Sequence, residues 1–186
     1  MGMDEILLDA EEKMEAAVDF LKKEFRGIRT GRASAGLVDH IRIDYYGAPT
    51  ELRQLASIAT PDAMLIVIKP FDPGSLKDIE KAIFANNIGI TPSNDGKVIR
   101  LAVPPLSTER RQQITVQLRK MGEAARVSVR NARRDANKEV ERQEKESELT
   151  EDEAKKGKDD IQELTDNYEK KITDLLDAKT QEIQEV

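Results

Sequence analysis

The sequence predicts an α+β protein of two domains: an elongated three-helix bundle, discontinuous in sequence, and a small α+β domain inserted into it. Three observations predict this fold. Long amphipathic stretches occupy both ends of the 186-residue chain, all seven prolines lie between residues 49 and 105, and strand-like alternation is confined to the same central region. Because helix interiors exclude proline, the ends and the middle are expected to form different kinds of structure.

Residues 4–29 predict the first long helix. Its apolar side chains recur at steps of three or four residues, as on one face of an α-helix. They are Leu7, Ala10, Met14, Ala17, Leu21, Phe25 and Ile28. Residues 30–36 read Thr-Gly-Arg-Ala-Ser-Ala-Gly and break this spacing, so a loop is expected there.

Residues 37–105 predict a small α+β unit that begins with a strand. Ile41, Ile43 and Tyr45 alternate with charged residues, the pattern of a half-buried strand. Turn-forming residues follow at positions 46–49.

The rest of this unit is expected to contain further strands and one short helix. The expected strands are residues 52–59, residues 64–68, and a hairpin of residues 90–91 and 98–103 around Asn94-Asp95-Gly96. Ser75 and Asp78 have the spacing of a capping box, which predicts a helix that continues to Ile83.

Two more long helices are predicted after Pro104-Pro105. Ser107 is a suitable N-cap for the first of them, which is expected to run to about residue 148. Its core stripe is Ile114, Leu118, Met121, Ala125, Val129, Ala132, Ala136 and Val140. Thr150 and Glu153 are expected to cap the last helix, with a stripe of Ile161, Leu164, Tyr168, Ile172, Leu175 and Ile183. A single amphipathic helix is marginal in water, so the three stripes are expected to bury one another.

The order of these elements predicts the domain boundaries. Residues 1–30 and 106–186 are expected to form the bundle, and residues 31–105 the inserted domain. Two segments, near residues 30–36 and 103–107, then join the domains and are expected to act as a hinge. The predicted hinge residues in these segments are Thr30, Gly31, Arg32, Ala33, Ser34, Val103, Pro104, Pro105 and Leu106.

Composition excludes several classes of protein. The absence of cysteine removes disulfides, thiolate metal sites and cysteine nucleophiles. No apolar run approaches the roughly 20 residues of a membrane span, and residues 1–8 lack the basic region of a signal or transit sequence. We therefore expect a cytoplasmic monomer that makes no membrane contact.

Signals of catalysis are weak. His40 is the only histidine, and a lone histidine is more often structural or exposed than catalytic. Residues 31–36 match G-x-x-x-x-G, but Leu37-Val38 stand where a P-loop requires Lys and Ser/Thr. Adjacent acids such as Asp159-Asp160 lie near a helix start, where capping is more common than metal binding. The sequence therefore predicts no enzyme, no cofactor and no metal.

Charge is segregated along the chain. The formal net charge is −6, yet residues 110–134 contain eight basic residues and a single acid, Glu123, for a net charge of +7. Residues 145–186 carry a net charge of −7. Local clustering of arginine predicts a polyanionic partner even though the protein is acidic overall.

The clustered arginines predict an RNA-binding surface. At about 100° per residue, Arg119, Arg126, Arg130 and Arg133 fall within about 60° of one another on a helix, roughly a quarter-turn from the core stripe. The candidate RNA-binding residues are Arg111, Arg119, Arg126, Arg130, Arg133 and Arg134. The residue types favour contact with the backbone of folded RNA. Arginine binds phosphate bidentately, and aromatic residues, on which bases could stack, are scarce. The alternative to RNA binding is that these arginines form a solvent-exposed helix face with ion pairs, some of them to Asp166 or Glu169 of the last helix.

Five blocks of residues closely resemble the ribosome recycling factor family, in family order and over essentially the whole chain. They are Ile28-Arg29-Thr30-Gly31-Arg32-Ala33-Ser34, Tyr45-Tyr46-Gly47, Leu52-Arg53-Gln54-Leu55-Ala56, Pro104-Pro105-Leu106 with Glu109-Arg110-Arg111, and Ala125-Arg126-Val127 with residues 129–136.

The resemblance implies a translation factor with a bundle domain, a small β/α/β domain and a two-stranded hinge. Family members bind ribosomal RNA of the large subunit and, with elongation factor G and its GTP hydrolysis, split the ribosome left after termination. By the same resemblance, Arg111, Arg130 and Arg133 are ribosome-binding residues, and Arg29 and Arg32 lie at the hinge. The alternative function is a helical scaffold protein whose arginines bind an acidic protein partner.

Overall fold

The computed structural model describes residues 2–185, which form three long helices and a compact set of short strands. The long helices are α1 (Met3–Arg26), α4 (Thr108–Lys145) and α5 (Glu151–Gln184). The chain falls into two compact units. The helical unit comprises Gln112–Glu182 with the chain up to Phe25, and the α+β unit comprises Arg26–Arg111 with the chain from Ile183 onward. The predicted fold class, a helical bundle with a small α+β unit, is confirmed.

The helical unit buries one face of each long helix. The buried residues of α1 are Ile6, Ala10, Met14, Val18, Leu21 and Phe25. On α4, the predicted stripe is buried except at Met121, which is only half-buried. Gly122 takes its place in the core, where a Cβ atom would lie 3.4 Å from Leu176 Cδ2 of α5. A methyl group at this position would be in ordinary van der Waals contact with Leu176, so α5 packs against α4 here without requiring glycine.

Side-chain caps begin α4 and α5 as predicted. The amide of Arg110 donates to Ser107 Oγ at 3.2 Å. At α5, the amide of Thr150 donates to Glu153 Oε2 at 2.8 Å, and the amide of Glu153 donates to Thr150 Oγ1 at 3.3 Å. This capping box satisfies first-turn amides that have no partner within the helix, and the hydrogen bond from the Thr150 amide lowers the pKa of Glu153.

The α+β unit contains two antiparallel sheets and two short helices. In chain order its elements are β1 (Arg42–Tyr45), β2 (Ala48–Glu51), α2 (Leu52–Leu55), β3 (Ala56–Asp62), β4 (Leu65–Pro70), α3 (Leu76–Ala85), β5 (Pro92–Asn94) and β6 (Ile99–Ala102). Strands β1 and β2 form a hairpin, and the second sheet has the order β3-β4-β6-β5. Ile66 of β4 stands opposite Leu101 of β6, and both side chains are fully buried in the core of the unit.

The edges of the four-stranded sheet are irregular. In β3 the pairing with β4 shifts register between Ala59 and Asp62, on either side of Thr60 and Pro61. Strand β5 has three residues and begins with Pro92, which has no amide hydrogen to donate. The outer strands are therefore short or interrupted.

The structure differs from the sequence-based expectation around residues 46–59. The turn at the end of β1 consists of Tyr46 and Gly47 alone, both in the left-handed region with φ of 51° and 81°. The expected strand at 52–59 begins instead with the helical turn α2. Leu52 and Leu55 are both buried, and helical spacing of three residues places both side chains on one face.

The capping box expected at Ser75 and Asp78 is wrong. Ser75 Oγ donates to the carbonyl of Asp72 at 2.7 Å and makes no cap bond to α3. The carboxylate of Asp72 accepts from the amide of Gly74 at 2.9 Å and caps a 3₁₀ turn at Pro73–Ser75 that leads into α3. The cap lies three residues earlier because this turn precedes the helix.

Candidate nucleic-acid interface

The arginines of α4 follow the side of the helix that borders α5. The Nη2 atom of Arg126 donates to Thr173 Oγ1 at 2.8 Å, and Nη1 of Arg133 donates to Gln162 Oε1 at 3.2 Å. Between them, Arg130 Nε lies 4.0 Å from Glu169 Oε1. We call Arg119, Arg126, Arg130, Arg133 and Arg134 together the arginine face.

Glu123 is the acid of α4 that pairs with this face. Its carboxylate accepts a hydrogen bond from Arg130 and lies 3.8 Å from Nη1 of Arg126, so two guanidinium groups share it. The Glu123 side chain is 56% exposed and that of Arg130 is 40% exposed. Exposed ion pairs of this kind are worth about 0–1 kcal/mol, so a phosphate group can replace the carboxylate at little cost.

The ion-pair alternative accounts for part of the arginine face. Glu169 does approach Arg130, whereas Asp166 accepts from Gln162 at 2.8 Å. The side chains of Arg119 and Arg134 are exposed and form no hydrogen bond or ion pair with any residue that the structure describes. Positive charge therefore remains in excess along the face, as binding to a polyanion requires.

Arg111 stands apart from the arginine face, in the first turns of α4. It is half-buried, and its amide donates to the carbonyl of Ser107 at 3.0 Å.

The predicted hinge residues lie in two segments that are tied to each other within the α+β unit. Arg29 Nη2 donates to the carbonyl of Pro104 at 2.8 Å. The amide of Ala33 donates to the carbonyl of Ala63, and the amide of Val103 donates to the carbonyl of Met64, both at 2.7 Å. Both segments are thus held by the same turn between β3 and β4.

The other predicted hinge residues differ in exposure and backbone conformation. Thr30 is buried, and Gly31 is buried with a φ of 82° that an L side chain adopts only with strain. Ser34 Oγ accepts from the amide of Gly36 and caps a short 3₁₀ turn. Arg32 Nη2 donates to the carbonyl of Glu185 at 3.4 Å. Pro105 is exposed and Leu106 half-buried.

Among residues 2–185, no group of three or more His, Cys, Asp or Glu has an arrangement that holds a metal ion. His40 is exposed, with Nδ1 3.6 Å from Asp39 Oδ1. Over the same range, no helix is long and apolar enough to cross a membrane.

The shifted pKa of Tyr168 has a structural cause. Burial, followed by the 2.6 Å hydrogen bond that its hydroxyl donates to Glu15 Oε2, raises the pKa of Tyr168. The same bond lowers the pKa of Glu15. This pair joins α5 to α1 away from the arginine face, so it stabilises the helical unit.

Two neighbours of the arginines, Gln162 and Thr173, were not identified from the sequence. With Glu169 they are spaced seven and four residues apart, which places all three on one side of α5. That polar spacing was the available signal, but the sequence does not specify which side of α5 meets α4.

Comparison with known proteins gives consistent matches over nearly the whole chain. The family model described as "Ribosome recycling factor" matches residues 21–183. The ribosome-recycling factor of Oleidesulfovibrio alaskensis is 50% identical over 184 residues, covering 99% of this chain and 100% of the relative. That of Nitratidesulfovibrio vulgaris is 49% identical over 186 residues, covering both chains completely.

Solved structures give the same result. A solution structure of the ribosome recycling factor superposes with a TM-score of 0.84 at 40% identity, covering 99% of this chain and 98% of the other. A second match, with a TM-score of 0.72 at 37% identity, covers 98% and 99% of the two chains. It comes from models of the T. thermophilus ribosome recycling factor and the E. coli elongation factor G bound to the E. coli post-termination complex.

Proposed function

The chain belongs to the ribosome recycling factor family, and we propose from this premise that it binds the large ribosomal subunit after termination. With elongation factor G and its GTP hydrolysis, it then splits the post-termination ribosome. The observation that carries the proposal is the structural match to a recycling factor placed with elongation factor G on a post-termination complex.

In this proposal the arginine face, together with Arg111, contacts phosphates of ribosomal RNA. The guanidinium groups already make replaceable contacts with side chains of α5 and with Glu123, so docking exchanges weak exposed contacts for phosphate contacts. Contacts to several phosphates give steeply salt-dependent binding.

The protein acts without catalytic chemistry of its own, as a cytoplasmic monomer. GTP is bound and hydrolysed by elongation factor G, because residues 31–38 lack the Lys and Ser/Thr of a P-loop. We assign residues 1–30 and 106–186 to the ribosome-binding domain, residues 31–105 to the inserted domain, and the segments near 30–36 and 103–107 to the hinge. The compact α+β unit extends a few residues beyond the inserted domain, to Arg26 and to Arg111.

Cosedimentation with large ribosomal subunits tests the binding step, and a splitting assay with elongation factor G and GTP tests the outcome. Arg130→Ala and Arg133→Ala should each weaken binding and reduce the slope of log affinity against log salt by roughly one unit per lost phosphate contact. Arg142→Ala is the matched control: it removes the same charge from α4, but Arg142 pairs with Glu139 and Glu146 beyond the arginine face. Equal affinities for all three variants would remove the arginine face from the proposal, and a steep loss with Arg142→Ala alone would relocate the site.

A further inference from the structure

Arg29 fastens the two crossing segments to each other. Its guanidinium donates across 75 positions of sequence to the carbonyl of Pro104 at 2.8 Å. The same group lies over the backbone of Gly89, where a Cβ atom would be 3.4 Å from Arg29 Nη1. Gly89 has a φ of 76°, so a side chain there would be both crowded and strained. One side chain therefore ties its own segment to that of Pro104 and also lies beside a third segment at Gly89.

The position of Arg29 is unusual for a charged group. Within residues 2–185, its buried Nε atom has no hydrogen-bond partner, and no carboxylate forms an ion pair with the guanidinium group. Leaving a buried donor such as this Nε atom without a hydrogen bond costs free energy. The surrounding structure must therefore favour this position of the Arg29 side chain. The arrangement indicates a role for this side chain beyond surface charge.

The contact with Pro104 limits where the chain can bend. On one side of it, the amides of Ala33 and Val103 bind the same β3–β4 turn, so both segments are held to the sheet there. On the other side, α1 ends at Arg26 and α4 begins at Thr108. Only residues 27–28 and 105–107 lie between the fastened point and the long helices.

We propose that Arg29 is a positioning residue for ribosome splitting, which joins the two crossing segments so that bending is confined to residues 27–28 and 105–107. This narrows the hinge proposed above: residues 30–36 move with the fastened part, because Ala33 is bound to the β3–β4 turn, and the bending falls to residues 27–28 and 105–107. A force applied to the α+β unit is then transmitted to the long helices through two short connections, because no long flexible loop separates them. The mechanical role rests on the proposed function, whereas the fastening itself is a property of the free protein.

Distance measurements between two spin labels test the fastening in the free, full-length protein. The chain has no cysteine, so labels can be introduced at exposed Lys97 and Lys155 by substitution with cysteine. In this background Arg29→Met should broaden the distribution of label distances at least about twofold, because segments that are no longer joined bend independently. Arg53→Met is the matched control, since Arg53 is exposed in the same unit and pairs only locally, with Glu51 at 2.5 Å. It should leave the distribution unchanged.

A conservative variant guards against misfolding. Arg29→Lys keeps the charge and the aliphatic stem, but it cannot both donate to the Pro104 carbonyl and cover Gly89, so an intermediate broadening is expected. If Arg29→Met lowers the melting temperature relative to Arg53→Met, the Arg29→Lys result decides. If Arg29→Met is stably folded and its label distances match those of the wild type, the proposal is overturned. If Arg29→Met is destabilised, wild-type label distances in Arg29→Lys overturn it.

Ribosome assays then separate positioning from docking. Arg29→Met should slow splitting with elongation factor G and GTP several-fold while leaving affinity for the large subunit within about twofold, because phosphate contacts at the arginine face are intact. An affinity loss as large as the rate loss would make Arg29 an RNA contact and refute the positioning role. If the wild-type protein itself splits no ribosomes, the proposed function fails, and the label distances still decide the fastening.

Discussion

Replacing Glu123 by glutamine should tighten binding to the large ribosomal subunit. The Glu123 carboxylate pairs with Arg130 and lies 3.8 Å from Arg126, so in the free protein it competes with phosphate for two guanidinium groups. Glutamine has nearly the same size and keeps a carbonyl acceptor, but it carries no charge. The substitution therefore releases both arginines and raises the net charge of residues 110–134 by one unit.

The magnitude follows from the exposure of these pairs. An exposed ion pair is worth about 0.2–1 kcal/mol, so release of two pairs should improve binding by roughly 0.4–2 kcal/mol, or about 2–30-fold. The gain should be largest at low salt and should shrink as salt screens the charges. The free energy of unfolding should change by less than about 0.5 kcal/mol, because an exposed side chain buries little apolar area.

Cosedimentation at three salt concentrations measures the effect, with Glu141→Gln as the matched control. Glu141 lies on the same helix and pairs with Lys158 at 3.2 Å, so the control removes an equivalent charge and ion pair. It is 18 positions from Glu123, about 27 Å along a helix and roughly three Debye lengths at physiological salt. Affinity that does not rise with Glu123→Gln, or that rises equally with both variants, would refute competition at the arginine face.

Three further outcomes concern the stability of the helical unit, measured by thermal or urea denaturation. Tyr168→Phe removes the bond to Glu15 and should lower the free energy of unfolding by about 1–3 kcal/mol at neutral pH. Because that bond lowers the pKa of Glu15, the difference from wild type should shrink as pH falls through this folded-state pKa. Hydrogen bonding to Arg142 lowers the pKa of Glu139 from 4.5 to about 2. The ionised Glu139 carboxylate therefore contributes fully to the free energy of unfolding above pH 4.5, and this contribution is lost as the pH falls toward 2. In Glu139→Gln the free energy of unfolding should depend less on pH between about 2 and 4.5 than in the wild type. An unchanged pH dependence would contradict the pairing of Glu139 with Arg142. Gly122→Ala should stabilise the helical unit by up to about 1 kcal/mol, because alanine has the higher helix propensity and its Cβ would contact only the end of the Leu176 side chain. A loss of stability would show that Leu176 cannot move to accommodate the methyl group.

The long helices could be predicted from the sequence because their signal is repeated many times. Each turn of α4 adds another apolar residue at helical spacing, so a single mismatch such as Met121 does not alter the prediction. The caps at Ser107 and Thr150 are equally local, since each depends on a side chain and an amide three residues apart. Sequence alone therefore identifies both the helices and where two of them begin.

Short elements and contacts between helices could not be predicted in the same way. Leu52–Leu55 contains two apolar residues, a pattern compatible with either a strand or a helical turn, and tertiary burial decides between them. Likewise, the arginines of α4 could be assigned to one side of a helix, but their pairing with Gln162 and Thr173 depends on how α5 packs. The basic character of the site is thus a property of sequence, and its state of pairing is a property of the fold.

The irregular outer strands of the four-stranded sheet also have a consequence for self-association. An open strand edge can add a strand from another molecule and so begin a fibril. Here the shifted register around Pro61 disrupts one edge, and the proline at the start of β5 removes a donor from the other. The small sheet therefore offers little continuous backbone to a second copy, and concentrated solutions of the folded protein should resist growth of β-aggregates from this unit.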